Sequence, residues 1–169
     1  LVKAKCYVKL NQLAGAEKAF KQALGLTKAN PLYKFYEYRA ASGLGYLSSV
    51  RYQYAEALEY YDTALKALEQ SGVESDKRLI AVALAEMVRF YIAIGHWAEA
   101  YRYCIKALRE LSMVSDEDTY ARILKYIGII FWERGNFKEA EKYILLSLKR
   151  RANIESLALT YRTLGMMYF

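Results

Sequence analysis

A four-residue signature returns four times along the chain, as Ala-Glu-Lys-Ala at 16–19, Ala-Glu-Ala-Leu at 55–58, Ala-Glu-Ala-Tyr at 98–101 and Glu-Ala-Glu-Lys at 139–142. Aligned on Ala16, Ala57, Ala100 and Ala140, the copies lie 41, 43 and 40 residues apart. A repeat of this length predicts a stack of like units, each burying its apolar face on its neighbours, with no single central core. Four residues beyond each reference alanine stand Phe20, Tyr61, Cys104 and Ile144, and three further on Ala23, Ala64, Ala107 and Ser147. That i, i+4, i+7 ladder is one buried stripe of an α-helix.

Helix punctuation divides each copy into a pair. Ser75-Asp76, Ser115-Asp116 and Asn153 precede apolar-periodic segments, where their side-chain oxygens can accept from the free amides of a first helical turn. Pro31, the one proline in the chain, suits the first turn of another helix. Tight turns inside the pairs fall at Asn11-Gln12, Tyr52-Gln53, Gly95-His96 and Gly135-Asn136, with glycine supplying a left-handed residue in the last two. The predicted helices are 1–11, 13–26, 32–51, 54–71, 76–94, 97–113, 117–134, 137–151 and 154–168. The expectation is an all-α, right-handed superhelical array of antiparallel hairpins, an α-solenoid of about four and a half repeats. It forms one elongated domain over 1–169, with repeats near 1–30, 31–73, 74–114 and 115–152 and a partial one at 153–169. A start at Leu1, inside a helix and without methionine, reads as part of a longer chain.

Composition narrows the function classes. A formal net charge of +7 favours acidic partners. Cys6 and Cys104 are almost a hundred residues apart with no Cys-x-x-Cys spacing, so neither a zinc site nor a disulfide framework is expected, and the default is a reducing, cytoplasmic setting. No apolar run is long enough to span a membrane. His96, the one histidine, falls in a tight turn with no serine and carboxylate arranged around it. Gly43-x-Gly45 lacks a third glycine and follows no strand, which excludes a dinucleotide loop. No catalytic residue, metal site or cofactor is expected, and the chain reads as a non-enzyme.

Twelve residues before the reference alanines stand Ala4, Gly45, Val88 and Gly128, and nine before them Tyr7, Ser48, Tyr91 and Phe131. With Tyr54-Ala55-Glu56-Ala57-Leu58-Glu59-Tyr60-Tyr61 and Gly135-Asn136-Phe137-Lys138-Glu139-Ala140, this pattern resembles the tetratricopeptide repeat. The resemblance runs almost the whole length and continues in Leu164-Gly165-Met166-Met167-Tyr168. It departs from the family in its period of 40–43 instead of 34, in Ala41, Leu84, Leu124 or Tyr161 at the leading tryptophan position, and in the mostly missing final proline. Such long-period arrays resemble those of bacterial regulator sensor domains, peptide-pheromone receptors, kinesin light chains and spindle-orientation adaptors.

The resemblance implies a concave groove lined by the first helix of each pair. Counting from the reference alanines assigns to it Lys5, Val8 and Lys9; Arg39, Ser42, Tyr46 and Ser49; Val82, Ala85, Arg89 and Ile92; Arg122, Lys125, Ile129 and Trp132; and Arg162 and Met166. Glu86 and Glu133 are the acids at its edge. Cations mixed with aromatic and aliphatic groups suit an acidic or amphipathic protein or peptide segment, because guanidinium groups grip carboxylates bidentately and rings act as anchors. The family's lysine-and-asparagine clamp for chaperone tails is disfavoured, since no asparagine falls on the groove. Arg89, Arg122, Lys125 and Arg162 are expected to form a continuous cationic strip, and replacing Arg122 and Lys125 by glutamate to leave helicity intact. The competing readings are a nucleic-acid-binding repeat, with tyrosines stacking on bases and Lys149-Arg150-Arg151 on phosphates, and an architectural spacer. Tyr161, Leu164, Met167, Tyr168 and Phe169 present an apolar stripe through which the helix at 154–169 is expected to self-associate.

Overall fold

A computed structural model describes residues 1–27, 31–70, 76–150, 160–163 and 165–166. Among them the chain is helical throughout: α1 (Val2–Lys9), α2 (Leu13–Thr27), a 3-10 turn at Pro31–Tyr33, α3 (Lys34–Val50), α4 (Tyr54–Glu69), α5 (Asp76–Ala93), α6 (Trp97–Leu111), α7 (Glu117–Glu133) and α8 (Phe137–Lys149). Residues 160–163 and 165–166 are helical as well. The chain divides into two compact units, Leu1–Ala83 and Leu84–Phe169, with the boundary inside α5. Consecutive helices pack as hairpins, the architecture of an α-solenoid. In the first unit α1 packs on α2, α2 on α3 and α3 on α4; in the second α6 packs on α7 and α7 on α8.

One main-chain device closes the four hairpin turns among the described residues. The residue five positions before each reference alanine has a positive φ: 55° at Asn11, 62° at Tyr52, 74° at Gly95 and 75° at Gly135. Its amide donates to the carbonyl three residues back, as from Asn11 to Val8 (3.0 Å) and from Gly135 to Trp132 (2.8 Å). The next amide reaches five back, as from Gln12 to Tyr7 (2.8 Å), Gln53 to Ser48 (2.9 Å), His96 to Tyr91 (2.9 Å) and Asn136 to Phe131 (2.9 Å). This Schellman pair satisfies carbonyls that the first helix leaves open. The same residue then starts the second helix: the carbonyls of Gln12, Gln53, His96 and Asn136 accept from Ala16, Ala57, Ala100 and Ala140. Glycine was expected in two turns; in the other two, asparagine and tyrosine take the left-handed conformation themselves.

The reference alanines have no exposed surface, and Phe20, Tyr61, Cys104 and Ile144 are buried beside them. At Gly45 a Cβ would stand 2.9 Å from the Tyr61 ring, and at Gly128 one would stand 2.7 Å from Ile144 Cδ1 and 3.1 Å from the Ala140 carbonyl oxygen. The small residue on the first helix is therefore what lets the second lie against it. Ser147 fills an alanine position, is fully buried, and donates to the Ala121 carbonyl of α7 at 2.7 Å. Aromatic pairs fill the second unit nine residues before the reference alanine, with Tyr91 stacked on Tyr103 at 5.3 Å and Phe131 on Tyr143 at 5.5 Å.

Asp116 caps α7, accepting from the Thr119 amide at 3.0 Å and the Thr119 hydroxyl at 2.8 Å. Asn136 caps α8, accepting from the Glu139 amide at 3.4 Å, so the turn residue is also the helix cap. The caps expected at Ser75 and Asn153, and residues 154–159 of the helix expected over 154–168, lie outside the described residues. So do Leu164, Met167, Tyr168 and Phe169 of the apolar stripe, whose described member Tyr161 is exposed.

Candidate functional site

The first helices carry the expected groove residues, but in unequal states. In the first unit Lys5 and Lys9 project into solvent from α1, and Val8 is partly covered. Arg39 and Tyr46 share one face of α3, two turns apart. The Arg39 guanidinium lies 5.6 Å from the Phe35 ring centroid, and Ser49 donates to the Tyr46 carbonyl at 2.7 Å.

In the second unit Ile129 and Trp132 of α7 meet Arg162 and Met166 of the terminal helical residues around an open cleft of about 270 Å³, which Glu133 and Thr163 complete. Thr163 had not been assigned to the groove, because a short hydroxyl at the edge of a helix face leaves no periodic signal. The Trp132 ring is braced edge-on by Phe137 at 4.6 Å, across the hairpin turn. Met166 stands 71% exposed and Arg162 is exposed, so apolar and cationic groups border the same opening. Among the described residues neither Arg162 nor Glu133 forms a salt bridge.

Further along the same helices the electrostatics differ from the expected strip. Glu86 binds Arg89 at 2.8 Å and faces Arg122 at 3.5 Å, so an acid stands between the two arginines. Lys125 is only 6% exposed, its ammonium 5.4 Å from the Tyr126 ring centroid. Burial pushes the Tyr126 phenol up, with Arg122 and Arg89 opposing the shift and Glu86 adding to it. Glutamate at 125 would put a carboxylate where little water reaches, so the Arg122 and Lys125 double replacement is a test of folding as well as of binding. Ala85 is fully buried.

The remaining sequence candidates have structural duties. Gly43 lies under Phe20, whose ring atoms would be 2.4–2.7 Å from a Cβ there. His96 starts α6 beside the turn, with Nδ1 4.0 Å from Glu99 Oε2, and among the described residues no group of histidine, cysteine and carboxylate side chains could hold a metal. Cys104 is buried against apolar surroundings that push its thiol up to about 12, whereas Cys6 is exposed. Arg150, inside the cationic run, binds Glu117 at 3.1 Å and lies 4.7 Å from the Tyr120 ring centroid. Tyr38 and Tyr61 are core; Tyr33, Phe35 and Tyr36 are partly exposed and meet edge to face, with no parallel ring platform among them. No described helix is long and apolar enough to cross a membrane.

Residues 83–113 match the family model of the Tetratricopeptide repeat, a span that covers the end of α5, the Gly95 turn and α6. Among solved structures the fold is similar to the crystal structure of BtubC (BKLC) from P. vanneervenii, with a TM-score of 0.77 and 21% identity over 94% of this chain. The chain spans 65% of the length of that structure. No curated protein matches the sequence significantly.

Proposed function

We propose that this tetratricopeptide-type array of helical hairpins is a non-catalytic, cytoplasmic scaffold that binds an acidic or amphipathic protein segment, as the sensor or partner-binding part of a larger regulator. The reading is carried by the cleft of Ile129, Trp132, Arg162 and Met166, where a braced indole and two aliphatic side chains lie beside an arginine that has no salt bridge among the described residues. Such an opening takes an apolar side chain as anchor and a neighbouring carboxylate as its charged contact. The other groove residues of the reading are Lys5, Lys9, Arg39 and Tyr46 on the first helices of the first unit and Arg89 on α5 in the second.

Fluorescence anisotropy with a labelled peptide of alternating glutamate and leucine, set against its lysine counterpart, tests this directly. The acidic peptide binds and the basic one does not. Arg162→Glu weakens binding about tenfold or more, because it replaces an attractive contact by a repulsive one. Circular dichroism of that variant stays unchanged, since Arg162 is exposed. Equal binding of the two peptides would show that charge plays no part and would sink the reading.

A further inference from the structure

Glu86 sits on α5 one turn before Arg89, and its two carboxylate oxygens serve different helices. Oε2 accepts from Arg89 Nη2 at 2.8 Å and from Nε at 3.0 Å, while Oε1 faces Arg122 Nη1 on α7 at 3.5 Å. A charge-assisted bond of this type is ordinarily about 2.7–2.9 Å long. The carboxylate therefore belongs to Arg89 and only leans on Arg122. All three side chains keep between 29% and 44% of their surface in solvent, so the contact is open to exchange.

We propose that Glu86 is a built-in competitor for the acidic partner: it occupies the position between Arg89 and Arg122 that a ligand carboxylate would take. The proposal rests on the reading of this face as a surface for acidic segments. A guanidinium group carries five N–H donors, and Glu86 approaches Arg122 through Nη1. An incoming carboxylate can engage Arg122 while Glu86 falls back on Arg89, losing only its 3.5 Å contact. Repulsion from Glu86 then penalises a lone acid, and a segment wins only when further acids or an apolar anchor in the cleft add to its hold. Glu86 thus sets a threshold of partner strength.

Labelled octaglutamate, titrated into the full chain by anisotropy at low salt, tests the idea with Glu86→Gln, which keeps shape and removes charge. E86Q binds about five- to tenfold tighter than wild type, a gain typical of coupling between neighbouring sites. The gain disappears when Arg122→Gln is added. Glu86→Asp, too short to lean on Arg122 yet still able to meet Arg89, gives a smaller gain. Unchanged or weaker binding by E86Q, with Arg162→Glu still harmful, would overturn the competitor and leave the scaffold reading standing. Absence of octaglutamate binding in both wild type and E86Q would overturn the competitor, and the scaffold reading falls with it only if the glutamate–leucine peptide also fails to bind.

Discussion

The two units build the same hairpin turn from different residues. In the first, the left-handed position is held by Asn11 and Tyr52; in the second, by Gly95 and Gly135. Left-handed φ costs an L-residue with a Cβ roughly 1–2 kcal/mol, asparagine less than most, and glycine almost nothing. Tyr52 bears that cost with its ring largely in solvent, in edge contact with Tyr54 at 6.2 Å. The second unit also has stacked ring pairs behind its turns, where the first has Tyr7 against Gly15 and Ser48 donating to Glu56 at 3.1 Å. The geometry is thus specified redundantly. Main-chain hydrogen bonds and close helix packing enforce a conformation that the residue at the turn resists.

If packing is the stronger constraint, breaking it should hurt most. Gly128→Val drives a branched side chain into Ile144 and the Ala140 carbonyl and should lower stability by about 2–3 kcal/mol in a denaturant melt. A neutral result would mean that α7 and α8 are free to separate.

Next in size come reciprocal swaps at the turns. Tyr52→Gly should stabilise the first unit by about 0.5–1 kcal/mol, relief of the left-handed strain being partly offset by the greater freedom of glycine in the unfolded chain. Gly135→Ala should destabilise the second by about 1 kcal/mol, because its φ of 75° then carries a Cβ. Should both substitutions shift the melting temperature in the same direction, turn strain is not what separates the units.

The smallest effect is electrostatic. Lys21, and then Arg51 beside Tyr52, hold the Glu17 carboxyl below its ordinary value of 4.5. A depressed carboxyl stabilises the fold above its unfolded value, and that contribution is lost as pH falls through the lowered folded value. Glu17 is partly exposed and its partner Lys21 half-exposed, so solvent screens the pair and Glu17→Gln should cost only a few tenths of a kcal/mol at neutral pH. The gap between the variant and wild type should close as pH falls below 4.5. A gap that persisted in acid would point to packing in place of charge.

Small residues were the legible part of this chain. Ala16, Gly45, Ala57, Ala100, Gly128 and Ala140 recur because helix axes that approach closely admit nothing larger, and such a requirement leaves a periodic mark. Tyr52 left none, since its conformation is imposed by the turn around it. The groove was legible only as a set of positions. Counting along a helix locates a Cα, but Lys125 folds its long side chain toward Tyr126, and the pairing of Glu86 with Arg122 links residues 36 apart. Phe137 as the brace behind Trp132 was hidden for the same reason: it begins the next helix.

The constant distance from the left-handed residue to the reference alanine has a genetic consequence. Since intervals of 41, 43 and 40 residues separate Asn11, Tyr52, Gly95 and Gly135, length variation lies wholly outside the closing device. A recombination event that joins the segment before one left-handed residue to the segment after another recreates the same junction at any of the four. Deleting 96–135 in one stroke would leave Gly95 followed directly by Asn136, a left-handed glycine followed by a helix-starting residue, as in the parent. The turn itself permits whole periods to be lost or duplicated at these seams, but helix packing limits which: this deletion would set Val88 where Gly128 now faces Ile144.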